Sequence, residues 1–529
     1  MPTRTKMQIG KGDGDFRPTA VPPMDPIAKA VHLRAPVTDG MKEHFAPTDV
    51  SPGLEVTRFK PIANLVRSRK FQFFLILPNQ IIFWLVIFLG LAGTVVPGLN
   101  FGTAITWYVW FALVFVMMVV VGRAWCSMCP FGGFAEWIQR ASFWKRTQKA
   151  LGLGIKLPES LAQYGLLFSV GMFLLLTWIE EFFNIAGPGV PHETSYMVIG
   201  IVSSALLFFL VFERRTFCRY FCPLTAVIGT VGTMGSVAGF RTKDRDVCVE
   251  CKTKDCMRGG ENGYGCPWYT WPGSADSNLT CGLCSECYKA CPSDNVGLFL
   301  QRPLTSLVAP RRRRPDVAWA VAGLLGLVLF QQINATSAYT TLDGALNKVM
   351  SFPQYPNPID YLGIIGAITA ALGGIGWLMS RAFARRDLVF TGGGRTFIDK
   401  TSKFRAYFVP MMYGLVPVTG ADYFARQLPK ALKHASRLVP SVAAWFGDGS
   451  TKSYLYNYRI LSNPHIVLTQ LVVVGLGLVG SVWATWRISG RELAPISAKP
   501  LAARFAVEAM ALATGGAILF LYVIMHAAS

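Results

Sequence analysis

Cys281-x2-Cys284-x2-Cys287-x3-Cys291-Pro292 leaves the middle of this chain little freedom. The spacing is that of a [4Fe–4S] ligand run, in which three close thiolates hold one cluster and the fourth reaches across to a second. A cubane needs thiolates converging from a tight loop, and the proline after the last cysteine turns the chain out of it. A second set lies upstream at Cys248, Cys251, Cys256 and Cys266-Pro267. Crossing the ligands gives one cluster on Cys248, Cys251, Cys256 and Cys291, and another on Cys281, Cys284, Cys287 and Cys266. Tetrahedral zinc is the competing reading of CxxC pairs, but the 2-2-3-Pro run is a cluster spacing and not a ribbon spacing. The upstream set is looser: four residues separate Cys251 from Cys256 and nine separate Cys256 from Cys266, a glycine-bearing stretch that reads as slack chain.

The rest of the sequence places these thiols beside a membrane. Hydrophobic residues make up 52% and charged residues only 15% of the 529, far from a soluble protein of this size. Apolar runs near the ~20 residues that cross a bilayer as a helix fall at 73–96, 103–121, 161–182, 196–212, 317–333, 360–380, 404–420, 463–486 and 503–526. The seventh is short and carries Pro410 and Pro417, so a re-entrant or interfacial segment is its alternative reading. The fold class expected is an all-α polytopic membrane protein of about nine transmembrane helices with a small α+β two-cluster insertion. Its parts are a polar tail at 1–70, a four-helix module at 71–235, the cluster domain at 236–300 and a C-terminal module at 301–529.

Lysine and arginine placement orients the helices. Arg67, Arg69 and Lys70 precede the first span, Arg140, Lys145 and Arg146 follow the second, and Arg214, Arg215 and Arg219 follow the fourth. Arg311 to Arg314 precede the fifth and read as an anchor near anionic lipid. Loops 183–195 and 334–359 are nearly free of such residues, which puts the cluster domain on the cytoplasmic side of a bacterial inner membrane. All 12 cysteines then lie where thiols stay reduced. The net charge of +21 follows largely from this bias, and no basic–aromatic module argues for nucleic acid. The 421–462 loop is expected on the outer side, as helices near the interface.

The four remaining cysteines form a repeat. "GRAWCSMCPFGGFAEW", with Cys126 and Cys129, parallels "RRTFCRYFCPLTAVIG", with Cys218 and Cys222. Each has a basic residue, an aromatic, a Cys pair, a proline and a small-residue run at the cytoplasmic end of a helix. The pattern reads as a duplicated two-helix hairpin, 73–135 and 161–228, whose pairs converge on one four-thiolate site. A third Fe–S cluster or other metal, a reversible dithiol and structural thiols are the readings.

Two Cys-Pro hairpins followed by the double cluster run resemble the membrane ferredoxin family. That family includes the quinol dehydrogenase ferredoxin subunit of periplasmic nitrate reduction, nitrous oxide reductase regulators and cbb3 oxidase assembly proteins. The resemblance covers about 73–300 and departs at Cys126-x2-Cys129-Pro130, where the family generally has C-x3-C-P. It implies that Cys126, Cys129, Cys218 and Cys222 are redox-active or metal-binding, and that the eight later cysteines hold two [4Fe–4S] clusters.

Beyond that core, His465 and His526 open the eighth and close the ninth span, with His192 and His434 on the same outer side. Facing histidines can ligate haem or serve a quinol, although local hydrogen bonding is their usual role. Glu180 and Glu181 end the third span and are candidates for accepting quinol protons. The expected function is a relay of single electrons between a quinone pool or membrane redox partner and a cytoplasmic carrier, within a multi-subunit complex. A maturation factor reducing a metal or thiol on a client, and a redox sensor, are the alternatives.

Overall fold

The computed structural model describes residues 53–143, 151–185, 192–310, 313–350, 356–385, 390–392, 395–397 and 400–527. The 1–52 part of the expected tail lies outside them. The part that is described does not hang free. Leu54–Glu55 (β1) pairs antiparallel with Val296–Leu300 (β3), and β3 pairs antiparallel with Val237–Thr242 (β2), giving the sheet order β1-β3-β2. Lys60–Arg67 (α1) follows, with Pro61 in its first turn. The boundary expected at residue 70 is therefore too late: the chain joins the cysteine-rich segment from residue 54.

Among the described residues, eight helices are long and apolar enough to cross a membrane. They are Phe71–Ala92 (α2), Phe101–Val121 (α3), Gly165–Phe182 (α6), His192–Val211 (α7), Pro315–Ile333 (α12), Pro358–Phe383 (α14), Asn463–Glu492 (α17) and Pro500–Ala527 (α18). Between α3 and α6 lie the short helices Trp125–Met128 (α4) and Pro130–Arg140 (α5). After α7 come Pro223–Gly232 (α8), then Arg245–Glu250 (α9), Asp255–Arg258 (α10) and Glu286–Ala290 (α11) in the cysteine-rich segment. The 334–359 loop contains a further helix, Ser337–Met350 (α13). In α12, 83% of the apolar window is buried against 28–39% in the other seven. A helix apolar all round belongs inside, and α12 is the axis of the bundle.

The seventh apolar segment is not one of the eight. It forms two helices, Lys400–Gly414 (α15) and Val416–His434 (α16), that meet at Leu415. Residues 407–420 are all buried. The pair runs antiparallel to α17 along its whole length. Tyr407 Oη meets Ser497 Oγ at 2.6 Å, Val418 N donates to Ser481 Oγ at 2.9 Å, and Gln470 Nε2 donates to the Ala425 carbonyl at 2.9 Å. The first part of the 421–462 loop, expected at the interface, is thus a helix packed in the bundle.

Arg313, expected as a lipid anchor, is an internal clasp instead. Its side chain is 2% exposed and pairs with Glu492 at 3.0 Å, tying α12 to the end of α17. Phe390–Gly392 pairs antiparallel with Arg395–Phe397 in a separate two-stranded sheet, with 393–394 outside the described residues.

Candidate iron-sulfur sites

The two Cys-Pro motifs fold alike for a reason visible in the sequence. Proline is pre-set for the first position of a helix, so the cysteine before it becomes the N-cap. Cys129 (φ −66°, ψ 124°) caps α5 and Cys222 (φ −59°, ψ 121°) caps α8. The unsatisfied N–H groups of a helix start favour an anion there. Burial pushes the Cys129 thiol up to about 12, against the N–H groups of Gly132 and Phe131, which favour the thiolate. Burial pushes Cys222 up to about 11, with the Leu224 N–H and Thr225 hydroxyl opposing.

The unequal spacings also have a structural reason. Trp125–Met128 is a four-residue α turn, whereas Phe217–Phe221 is a five-residue π turn closed by Cys222 N donating to the Phe217 carbonyl at 2.7 Å. A π turn absorbs one extra residue, and both motifs end with their second cysteine as the N-cap of a proline-started helix. The four thiols are electrostatic neighbours: after burial, Cys129 is raised by Cys222 and Cys126, and Cys218 by Cys222, Cys129 and Cys126. Ser169 of α6 holds the loop, donating to the Cys222 carbonyl at 2.7 Å and accepting from Ala226 N at 2.9 Å. Gly132 leaves room for sulfur, since a Cβ there would lie 3.2 Å from Cys218 Sγ.

The eight thiols of the cysteine-rich segment are neighbours both within and between the two expected groups. Cys256 is raised by burial and then by Cys248, Cys291, Cys266 and Cys251. Asn295 marks the crossing directly: its backbone N donates to Cys291 Sγ at 3.3 Å and its side chain to Cys248 Sγ at 3.4 Å. In the second expected group, Cys287 is raised by burial and then by Cys266, Cys284 and Cys281, with Cys256 of the first group behind them, and Cys266 also neighbours Cys281 and Cys284. Thr270 N donates to Cys266 Sγ at 3.3 Å. Gly239, at φ +94°, lets β2 pass the group, because a Cβ there would lie 2.8 Å from Cys281 Sγ. The stretch between Cys256 and Cys266 is packed rather than slack: Tyr264 is 8% exposed and its N donates to Glu286 Oε2 at 2.8 Å.

All 12 thiols are free, with no disulfide. Among the described residues, no three Cys, His, Asp or Glu side chains converge tightly enough for one metal ion. A cubane holds its thiolates at separate corners, wider apart than the ligands of a single ion, and the donor set suits it: four sulfurs per group, with N–H groups aimed at them. One packed core unites the groups. Cys218, Cys256, Cys266, Cys284 and Cys287 are buried in it, and Cys126, Cys222, Cys281 and Cys291 pack against it.

The residues proposed for other chemistry lie elsewhere. Glu181 accepts from Gln331 Nε2 at 2.8 Å and Asn334 Nδ2 at 3.3 Å, and Glu180 faces Lys430 Nζ at 3.5 Å. These acids are tied into the bundle's far end. His465 is exposed and its Nδ1 meets Ser462 Oγ at 2.7 Å, the local role. His192 Nδ1 lies 3.0 Å from the Gly90 carbonyl, and the His434 ring packs on Tyr108. His526 closes α18, its side chain outside the described residues.

Sequence reasoning missed the arginines at the sites. Arg123 and Arg215 occupy the same place in the repeat, three residues before the first cysteine. That parallel was the available signal, obscured by the reading of Arg215 as a topology marker.

Comparison with known proteins bears on the repeat. A family described as 4Fe-4S binding domain matches residues 103–149 and again 194–238. Each region holds the second helix of one hairpin and its Cys-Pro motif. The matches support an iron–sulfur, ferredoxin-like family, and with it [4Fe–4S] clusters. An uncharacterised protein of Methanocaldococcus jannaschii is 26% identical over 192 residues, covering 34% of this chain and 74% of that one. No solved structure matches significantly. Iron–sulfur matches and long apolar helices together fit electron transfer in a membrane.

Proposed function

We propose that the chain carries three [4Fe–4S] clusters. One would be held by Cys126, Cys129, Cys218 and Cys222, one by Cys266, Cys281, Cys284 and Cys287, and one by Cys248, Cys251, Cys256 and Cys291. The segment from β2 to β3 is then a two-cluster ferredoxin, with β1 extending its sheet. Such groups supply one-electron transfer. The chain relays electrons between a quinone pool or membrane redox subunit and a cytoplasmic carrier, with the cysteine end facing the cytoplasm of a bacterial inner membrane. In this arrangement α15 and α16 together make a ninth crossing, parted from lipid by the helices around them.

The observation that carries this reading is the shared core: nine cysteines drawn from all three groups lie in or against it. The protein's own part is to bind and to exclude water. N-caps and backbone N–H groups favour the thiolates, and apolar packing keeps solvent from the space between sites.

The test uses anaerobically purified full chain in lipid vesicles, with cluster reduction followed after addition of a quinol analogue. The wild type is expected to equilibrate with the analogue. Cys129→Ser should lose that equilibration while keeping the two ferredoxin signals under dithionite. Equal equilibration in the variant would overturn the relay.

A further inference from the structure

Arg123 and Arg215 are repeat-related and nearly sealed from solvent, at 3% and 1% exposure. Each crosses to the other hairpin. Arg215 Nη1 donates to the Cys126 carbonyl at 3.2 Å, and Arg123 Nη2 donates to Thr225 Oγ1 at 3.4 Å. Arg123 Nε also donates to Cys126 Sγ at 3.4 Å, and Nη1 donates to the Leu279 carbonyl at 2.5 Å, two residues before Cys281. Both guanidinium groups lie against Trp268, two residues after Cys266. Arg123 lies 4.2 Å and Arg215 5.7 Å from its ring centroid. The indole in turn packs on the cluster loop, where a Cβ on Gly282 would fall 2.1 Å from its Nε1.

Arg215 faces both sites at once, acting on Cys218 of the Cys-Pro group and on Cys284 of the ferredoxin group. Its ion pair with Glu136 is shared with Arg140, so that one carboxylate meets two guanidinium groups. Among the described partners of Arg123 there is a sulfur, a carbonyl, a hydroxyl and an indole face, and no carboxylate. Burying a cation without a counter-charge is unfavourable by several kcal/mol. A cubane on four thiolates is an anion and would supply that counter-charge on either side of Trp268. Nearby charge and hydrogen bonds to sulfur set cluster potentials, and both act more strongly in a water-excluded site.

We propose that Arg123 and Arg215 are the positioning pair that sets the potential of the Cys126/Cys129/Cys218/Cys222 cluster. Arg215 extends the same control to the Cys266/Cys281/Cys284/Cys287 cluster across Trp268. Electron exchange between membrane and ferredoxin then runs between two sites whose potentials move together. The inference rests on the three-cluster reading.

The experiment is an EPR-monitored redox titration of the full chain, purified without oxygen, with iron counted in every sample. Arg215→Gln leaves Glu136 its Arg140 partner. It should lower the midpoints of both clusters, while the Cys248/Cys251/Cys256/Cys291 signal stays in place as an internal reference. Arg215→Lys should restore most of the shift, and Arg123→Gln should lower the Cys-Pro midpoint. Unchanged midpoints at full iron content overturn the proposal. Should Arg215→Gln lose iron, Arg123→Gln decides alone: a lowered Cys-Pro midpoint supports the control and an unchanged one refutes it. A wild type with about eight irons and no Cys-Pro signal instead refutes the three-cluster reading.

Discussion

Replacing Glu136 by glutamine should be among the most damaging changes outside the cysteines. The carboxylate is 4% exposed, and its two oxygens are divided between two buried cations. Oε1 accepts from Arg140, while Oε2 accepts from Arg215 Nε at 3.0 Å and Nη2 at 2.5 Å. Burial alone would raise this carboxyl, yet Arg140 and Arg215 hold it below the usual carboxylate range. Glutamine keeps the shape and removes the charge. Breaking one buried pair is unfavourable by about 3–5 kcal/mol, and here two guanidinium groups lose the same partner, which argues for the upper half. At 1.4 kcal/mol per decade, that is a fall of roughly three to three and a half powers of ten in the folded-to-unfolded ratio. SDS titration in mixed micelles, followed by tryptophan fluorescence, measures it. A cycle with Arg140→Met should show non-additivity of about 0.5–3 kcal/mol. Stability equal to wild type in Glu136→Gln would refute the account of the buried charges. The pH sign follows from the depressed carboxyl: this contribution is present above the unfolded carboxylate range and is lost as pH falls through the folded value.

Ser169→Ala strips a donor and an acceptor from the Cys222 loop, and about 1–3 kcal/mol of local stability should go with them, read as faster iron loss from the Cys-Pro site to a chelator. Gly132→Val should push on Cys218 Sγ and remove about four irons per chain while the ferredoxin EPR signals persist; loss of all iron would contradict separate sites. In cluster-free protein the buried thiols are raised, Cys129 to about 12 and both Cys222 and Cys266 to about 11. Their contribution is intact below the unfolded thiol value of about 8.5 and should fade as pH climbs towards these values. Loading iron must displace their protons, so reconstitution should strengthen with rising pH, checked by iron binding at stepped pH.

Much of this arrangement was legible because thiol spacing dictates which sulfurs can meet. The crossing of Cys291 to Cys248 follows from the 2-2-3-Pro run, and Asn295 bonds both sulfurs in the structure. The prolines after Cys129 and Cys222, read in the sequence as lying at helix ends, also start the next helices, α5 and α8. What stayed hidden was non-local. A two-residue strand such as Leu54–Glu55 has no periodicity, and only β3 as a partner makes it a strand. The 404–420 run was legible as apolar, but the helix that continues it to His434 carries polar residues and was read as part of an interfacial loop. Arginines at helix ends carry an orientation signal, and sequence cannot tell an anchor from Arg215 at 1% exposure. The π turn at Phe217–Phe221 was invisible for a different reason: one extra residue in a spacing does not say which turn takes it up.

The central claim is that three four-thiolate groups each hold a cubane. Iron and acid-labile sulfide, measured per chain on protein purified without oxygen, test it most directly. The account predicts about twelve of each in the wild type, falling to about eight in Cys129→Ser. About eight in both proteins, or zinc in place of iron, would contradict it.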